Sequence, residues 1–306
     1  AGASVYAATG SSLSIASGRL SYSLGLHGPC VCYDTACSSA LAACHAGLRA
    51  LQLDECSISL VAGVTLMLAP GVGVGFAIAG MTSARGRSHT FDERADGYAR
   101  GEACVGVTLR DGDWELRMLG SAVRQDGRSA SLTAPNGQAQ QGLIVAALAD
   151  AVSSADALTL NEAHGTGTTL GDPIEAGSLV GAVLTARDAP LAVGGVKANI
   201  GHAEPAAGMT GLLKLASGLR RGEAAPNAQL RALNPHVGGA VKGVECTLSV
   251  QLVGAKEDEH CAGGISSFGY SGTIAHEVLR HATGGQSHTM TALVPLAYRR
   301  RAFPWR

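Results

Sequence analysis

Three side chains of this 306-residue sequence have the type and the surroundings of reactive groups. Cys37 stands in the run DTACSSA, where a predicted strand turns directly into a predicted helix. The positive end of a helix favours a thiolate over a thiol, so this position predicts a nucleophile at neutral pH. His164 and His202 each follow a predicted strand in a glycine-rich turn, at the edge where α/β sheets build their sites. A single cysteine or histidine is usually a packing residue, but three at equivalent strand ends predict one shared site.

The elements that must position these residues alternate along the chain. The spacing of apolar residues predicts helices at 12–26, around 41–51, and at 138–152, 173–186 and 205–221. It predicts strands at 30–34, 58–66, 102–109, 114–123, 157–163 and 191–197, and paired strands near 246–253 and 264–279. The series from 114 onward ends in the β-α-β-β order that also ends the first series. We therefore expect an α/β fold with an internal duplication, whose first copy lacks its opening.

Two helix boundaries are predicted from their end residues. Asp172, Pro173 and Glu175 have the order of an N-cap, a first-turn proline and a capping-box glutamate. Gly222, after two arginines, is typical of a helix C-terminus.

Composition narrows the functional classes. The chain is 46% hydrophobic and 15% charged, so it can bury a large core. Its formal net charge of −1 gives no broad attraction to nucleic acid or to anionic membranes. The eight cysteines lie at irregular intervals without zinc-site spacing and without a secretory leader, so we expect no disulfide framework, no structural metal and a reducing compartment.

One uncharged stretch, residues 60–81, is long enough to span a bilayer. Pro70 and several glycines would weaken a lipid-exposed helix there. We expect instead a buried strand from Ile58 to Leu66, followed by a glycine-rich turn packed inside the protein.

Longer motifs carry a family resemblance. The stretches around the three reactive residues are EAHGTGTTLGDPIEA at 162–176 and VKANIGHAEPAAG at 196–208, with DTACSSA at 34–40. TAPNG at 133–137 and SSFG at 266–269 fit the same pattern. Together they resemble the β-ketoacyl synthase (ketosynthase) domains of modular-type polyketide synthases, in the thiolase superfamily. Fatty-acid condensing enzymes share the fold, but the residues at 133–137 and 171–175 look more like those of the polyketide branch.

The resemblance implies a thiolase-like fold, with duplicated layers in the order α-β-α-β-α, and a decarboxylative condensation. Cys37 resembles the nucleophile that accepts an acyl chain, while His164 and His202 resemble the residues that bind the malonyl-type extender and stabilise its enolate. The resemblance implies further roles for seven residues. The backbone N–H groups of Cys37 and Phe268 would form an oxyanion hole, and Thr166 and Thr168 would contact the pantetheine arm. Lys197 would orient the histidines, with Asp172 and Glu175 as supporting carboxylates.

The same resemblance implies binding partners for the protein and a division of the chain into domains. Substrates would arrive on the phosphopantetheine arm of an acyl carrier protein, with no other cofactor. A homodimer and other polyketide synthase domains are the expected protein partners, without nucleic acid and without a membrane span. Residues 1–110 would be the remainder of a first thiolase half, 111–280 the second half, and 281–306 a tail resembling the linker after ketosynthases.

Four features depart from the family pattern. The stretch between Val107 and Ser121 is short, Arg124 replaces an asparagine, and Ala103 replaces a glycine. Ile274 replaces an asparagine, and we expect it to loosen the loop beside Phe268.

Two other readings stay open. A catalytically silent or truncated ketosynthase remnant would act only as a structural partner. A degradative thiolase is a minor alternative, since CAGG at 261–264 is similar to the region of the second thiolase cysteine.

Overall fold

The computed structural model describes residues 4–255 and 261–282. The helices are α1 (Ala7–Ser11), α2 (Leu13–Leu24), α3 (Ser39–Gln52), α4 (Pro70–Ile78), α5 (Gly137–Asp150), α6 (Gly171–Ala182), α7 (Lys197–Ile200), α8 (Ala207–Arg221) and α9 (Pro235–Ala240). The strands are β1 (Ile58–Thr65), β2 (Ala103–Arg110), β3 (Leu116–Gln125), β4 (Leu158–Glu162), β5 (Leu191–Gly194), β6 (Glu223–Ala224), β7 (Cys246–Thr247), β8 (Val253–Gly254), β9 (Ala262–Phe268) and β10 (Thr273–His281). Apart from its first two positions, the predicted linker at 281–306 lies outside the described residues.

A six-stranded mixed sheet forms the centre, in the order β3-β10-β9-β4-β5-β7. β4 runs parallel to β5 and β9, whereas β10 is antiparallel to both of its neighbours. One apolar cluster joins α5 and α6 to one face of this sheet, and another joins α3 and α8 to the opposite face. The second cluster also contains Val61 of β1, and β1 pairs antiparallel with β2. The layers therefore follow one another as α-β-α-β, which confirms the predicted α/β class.

Most predicted elements are present within a few residues of their expected bounds. The strand predicted at 30–34 is wrong: this segment is exposed, and among the described residues it has no neighbouring strand to complete its hydrogen bonds. The strand predicted at 191–197 ends at Gly194, because the backbone turns there into α7. The predicted strands near 246–253 and 264–279 each divide, the latter into the β9–β10 hairpin.

The stretch at 60–81 differs most from its prediction. β1 buries only alternate side chains, those that face α3, and Leu60 and Val64 on its other face are about half exposed. The expected buried turn is instead the helix α4, none of whose residues is buried. Pro70 begins this helix at a position that proline tolerates. No helix in the described part of the chain is long and apolar enough to cross a bilayer.

The β9–β10 hairpin is tightly packed rather than loose. Ile274 lies opposite Phe268 in the register of the two strands. Its side chain is fully buried and clusters with Phe268 and Leu143. The expectation that Ile274 loosens this loop is wrong, because a branched apolar side chain fills the space beside Phe268.

Candidate active site

Cys37 lies at a sharp turn into α3. Ala36, directly before it, has a φ of 55°, a left-handed conformation that a non-glycine residue adopts only when its surroundings hold it there. The Ser267 hydroxyl donates to the Cys37 carbonyl oxygen at 2.7 Å, and the Ser39 hydroxyl accepts from the Thr35 N–H at 2.8 Å. The turn is therefore fixed by side chains from both β9 and α3.

The thiol of Cys37 is not the thiolate that its place beside a helix start predicts. The side chain is 9% exposed, and burial raises its pKa to about 11. The nearby cation of Lys197 acts in the opposite direction but is outweighed. Desolvation disfavours the charged form more strongly here than the helix dipole favours it. The free protein therefore holds a neutral thiol at pH 7.

His202 meets this thiol directly. Its Nε2 lies 3.0 Å from Cys37 Sγ. Its Nδ1 accepts a hydrogen bond from the backbone N–H of Glu204 at 3.1 Å. Since Nδ1 is the acceptor, a neutral imidazole must carry its proton on Nε2. That N–H then points at the sulfur, so His202 donates to Cys37.

His164 has the same arrangement on the neighbouring strand end. Its Nδ1 accepts from the backbone N–H of Phe268 at 3.2 Å, which again leaves the proton on Nε2. The ring centroids of His164 and His202 are 5.7 Å apart and the planes are nearly perpendicular. The Lys197 ammonium donates to the backbone carbonyl of His164. The structure thus brings together Cys37, both histidines and Lys197, as the sequence predicts.

Burial and one cation keep both imidazoles neutral. The pKa values of His164 and His202 are lowered well below the usual histidine value, first by desolvation and then by the charge of Lys197. Lys197 is itself buried, and desolvation lowers its pKa. The carboxylates of Glu162 and Glu175 act against that shift and favour its charged form. The site therefore contains one buried cation and two neutral donors.

Asp172 and Glu175 support loops and do not cap α6. Glu175 accepts the backbone N–H groups of His164 at 2.6 Å and Gly165 at 2.8 Å. Asp172 accepts those of Phe91 at 2.7 Å and Gly167 at 3.0 Å. Neither carboxylate caps the helix, so the capping prediction is wrong. Their role as supporting carboxylates of the site stays a prediction. Burial raises the pKa of Asp172 to about 6 and that of Glu175 to about 7.

The two threonines shape the turn after His164. Their hydroxyls, on Thr166 and Thr168, lie 3.2 Å apart, and the Thr168 hydroxyl accepts the first N–H of α6 from Gly171 at 3.1 Å. Thr168, two residues before the N-cap Leu170, therefore satisfies an N–H at the start of α6 that the sequence assigns to Asp172. At the far end of α8, Gly222 adopts a φ of 62° and confirms the predicted glycine stop.

Four residues that the sequence does not single out also contact the site. They are Tyr98, Arg100, Glu204 and Ser267. The Tyr98 ring packs edge-on against His202 at 4.8 Å between centroids. Of the four, Glu204 and Ser267 lie in motifs that the sequence highlights. Tyr98 and Arg100 lie close to His202 only through the fold.

Comparison with known proteins agrees with this geometry. Residues 1–113 match the β-ketoacyl synthase N-terminal domain, and residues 117–231 match the β-ketoacyl synthase C-terminal domain. The chain belongs to the β-ketoacyl synthase family. Members of this family are acyl-transferring condensing enzymes, and the relatives of this ketosynthase are of the polyketide synthase type.

Two curated relatives illustrate the similarity. A phenolphthiocerol/phthiocerol polyketide synthase of Mycobacterium tuberculosis is 42% identical over 287 residues, which are 89% of this chain and 15% of that protein. An erythronolide synthase of Saccharopolyspora erythraea is 40% identical over 301 residues, 96% of this chain and 8% of that protein. The ketosynthase chain thus corresponds to a small part of each.

Solved ketosynthases share the fold. The oxazolomycin ketosynthase domain of Streptomyces albus matches with a TM-score of 0.84 at 33% identity, covering 89% of this chain and 50% of that one. The ketosynthase from module 6 of the bacillaene synthase of Bacillus subtilis gives 0.84 at 32% identity, with the same coverage. The chain therefore has a thiolase-like fold and spans half the length of these solved ketosynthases.

The thiolase alternative does not fit the position of Cys261. This cysteine is buried in the apolar cluster of α3 and α8, next to the start of β9. Phe268, which contacts His164, ends the same strand. A strand of seven residues separates the two by roughly 20 Å, so Cys261 is far from the histidines.

None of the eight cysteines, all within the described residues, forms a disulfide.

Proposed function

We propose that this ketosynthase catalyses a decarboxylative Claisen condensation between an acyl group held on Cys37 and a carrier-bound malonyl-type extender. The observation that carries the proposal is the pair of neutral imidazoles beside Cys37, each with its Nδ1 occupied by a backbone N–H. Both Nε2–H groups are therefore hydrogen-bond donors. Such a pair suits a reaction in which negative charge develops on one carbonyl oxygen.

In the first half-reaction the thiol of Cys37 attacks an acyl thioester. A new carbon–sulfur bond forms, the bond to the pantetheine sulfur breaks, and the thiol proton passes to the departing pantetheine thiol. His202 supports this step as a donor to Sγ at 3.0 Å, because it favours the sulfur as it becomes anionic. In the oxyanion-hole role, the N–H groups of Cys37 and Phe268 would donate to the thioester oxygen, and the Phe268 N–H would return to His164 Nδ1 before decarboxylation.

In the second half-reaction the extender loses its carboxylate as CO₂. The electrons of that carbon–carbon bond pass into an enolate, whose oxygen would accept from Nε2–H of His164 and His202. The enolate carbon then attacks the acyl carbonyl on Cys37, a carbon–carbon bond forms, and the carbon–sulfur bond breaks. Lys197, supported by Asp172 and Glu175, would keep both imidazoles neutral during this step.

The carrier, the cofactors and the protein partners of the reaction are proposed from the family resemblance. We propose that both substrates arrive on the phosphopantetheine arm of an acyl carrier protein and that Thr166 and Thr168 contact this arm. We propose no further cofactor. A homodimer and neighbouring polyketide synthase domains are the proposed partners, and the product would enter polyketide or fatty acid biosynthesis.

The two half-reactions can be tested separately with pantetheine thioesters. His202→Ala should reduce decarboxylation of a malonyl thioester by about a hundredfold or more while leaving some acylation of Cys37. Cys37→Ala should abolish acylation and condensation but keep decarboxylation. Rates of CO₂ release and peptide mass mapping of the acylated residue measure both effects. Cys104→Ala, an exposed cysteine in β2, is the matched control and should behave as the wild type.

Two results would contradict the proposal. Acylation of Cys44 or Cys261 in place of Cys37 would overturn the assignment of the nucleophile. A wild-type chain that performs neither half-reaction with acyl-pantetheine or malonyl-pantetheine would favour the silent remnant.

A further inference from the structure

The turn after His202 contains a strained residue. Glu204 has a φ of 43°, in the left-handed region that non-glycine residues avoid. Pro205 follows it and further restricts its backbone. The backbone N–H of this strained residue is the group that donates to His202 Nδ1 at 3.1 Å. The conformation of Glu204 therefore determines which nitrogen of His202 carries the proton.

Arg100 holds the side chain of Glu204. Its Nε donates to one carboxylate oxygen at 2.5 Å and its Nη2 to the other at 2.9 Å, the two-pronged geometry that fixes a carboxylate most firmly. Both side chains are at least 85% buried, with exposures of 15% for arginine and 12% for glutamate. Water screens such a pair much less than a surface pair.

The backbone around Arg100 holds His202 as well. The His202 N–H donates to the Ala99 carbonyl at 2.6 Å, and the Gly101 N–H donates to the His202 carbonyl at 2.9 Å. Thr65 of β1 secures the other side of the turn, since its hydroxyl donates to the Ala203 carbonyl at 2.5 Å. The segment around Arg100 therefore holds the turn twice, through the backbone of Ala99 and Gly101 at His202 and through the Arg100 side chain at Glu204.

We propose that Arg100 and Glu204 are positioning residues, whose ion pair stabilises the strained turn so that the Glu204 N–H fixes the His202 proton on Nε2, facing Cys37. The role assigned to the His202 proton rests on the proposed condensation, whereas the tautomer itself does not. The pair touches neither the sulfur nor a substrate in this scheme. It acts only through the backbone of residue 204.

A glycine substitution separates this role from general stabilisation. Glu204→Ala loses the ion pair but keeps the cost of a left-handed backbone, whereas Glu204→Gly loses the pair and the cost together. If the ion pair serves to hold the strained conformation, Glu204→Gly should regain the single His202 tautomer and the decarboxylation rate that Glu204→Ala loses. If the pair serves only to stabilise the fold, both variants should behave alike or glycine should be worse.

The primary measurement is the His202 tautomer, from long-range ¹H–¹⁵N correlation spectra of the histidine-labelled full chain without substrate. We expect one tautomer in the wild type and a mixture in Glu204→Ala and Arg100→Ala. Decarboxylation of malonyl-pantetheine should fall roughly tenfold in both, in kcat rather than in KM. Glu204→Gly should recover the single tautomer and most of the rate. Arg100→Lys should recover only part, because lysine lacks the two-pronged fork.

Arg94→Lys is the matched control. Arg94 forms the same kind of two-pronged pair with the buried Asp92, which binds the backbone at 231 and 232 rather than His202. This variant should lose comparable thermal stability and keep both the tautomer and kcat. The proposal is overturned if the alanine variants keep a single His202 tautomer, if glycine fails to rescue, or if the control changes the tautomer. A wild type without decarboxylation would contradict the proposed function alone, since the tautomer would still be measured.

Discussion

The histidines and the nucleophile lie in regions that are packed very differently. Both histidines follow strands of the six-stranded sheet, in which all seven residues of β9 are buried. The chain before Cys37 belongs to a region of exposed elements, in which α2 has no buried residue and β2 buries none of its side chains fully. Burial becomes continuous at Cys37 and extends through residue 42.

This contrast indicates which region fixes the geometry of the site. The contacts that fix Cys37 from outside its own turn come from the packed region, from His202 at the sulfur and Ser267 at the carbonyl. α3 behind the nucleophile is itself packed, with seven buried residues, and the half-exposed strand β1 contributes the buried Thr65 beside the His202 turn. Changes in the packed region should therefore affect stability and chemistry together, whereas most changes in the exposed region should affect neither strongly.

A pair of glycine substitutions tests this contrast with the largest expected effect. A Cβ on Gly120 of β3 would overlap the backbone N of Ala151, so Gly120→Ala should lower the free energy of unfolding by about 3 kcal/mol. A Cβ on Gly75 in α4 would meet nothing within 4 Å, and Gly75→Ala should raise it by about 0.5–1 kcal/mol. Urea denaturation measures both. Equal effects of the two substitutions would contradict the difference in packing.

Alkylation compares cysteines from the two regions. Hydrogen bonds from Ser17 and Ser21 lower the pKa of the exposed Cys30, whereas burial raises that of Cys37 to about 11 from an ordinary 9.0. The thiolate fraction of Cys37 is then about a hundredfold below that of an ordinary thiol. With limiting iodoacetamide at neutral pH, peptide mapping should find Cys30 modified well before Cys37. The exposed Cys104 provides the reference rate, and preferential labelling of Cys37 would show that its thiol is activated in the free protein.

A third comparison uses a buried carboxyl in the packed region. Glu277 of β10 is 1% exposed, neither of its carboxyl oxygens has a hydrogen-bond partner among the described residues, and burial raises its pKa well above the usual 4.5. As the pH rises, the unfolded state releases the Glu277 proton before the folded state does. The free energy of unfolding is therefore unaffected by this group below pH 4.5 and falls as the pH rises above it.

Glu277→Gln removes this titration. As the pH rises above about 5, the wild type should lose stability relative to the variant, because its folded state must keep or lose a proton that glutamine does not carry. Denaturation midpoints across this range measure the difference. Glu93→Gln, at an exposed carboxyl, is the control and should follow the wild type. Parallel curves for wild type and Glu277→Gln would mean that the carboxyl finds a partner.

The sequence predicts the meeting of His164 and His202 because both follow neighbouring parallel strands, β4 and β5, whose ends share an edge. It also predicts that Cys37 joins them, although the strand expected before Cys37 is absent from the described residues. It also predicts α3, whose apolar residues recur at helical spacing. It misplaces α4, since an uncharged glycine-rich stretch suits a buried turn and an exposed helix equally well. Local pattern contains no information about which face another element covers.

Two properties of the site depend on contacts between distant residues. The pKa of Cys37 follows from burial by β9 and the His202 turn, more than 160 positions away. The contact of Arg100 with Glu204 joins residues 104 positions apart. The sequence predicts Asp172 as a helix cap because its neighbours fit the local rule, but the fold offers its carboxylate backbone N–H groups from two other loops.

The occupied Nδ1 atoms of His164 and His202 have a consequence for turnover. An imidazole that serves only as a donor ends each catalytic cycle with the proton it began with. In the proposed condensation the two imidazoles therefore need no proton exchange with solvent before the next substrate binds. Between cycles, only the sulfur of Cys37 has to regain its hydrogen.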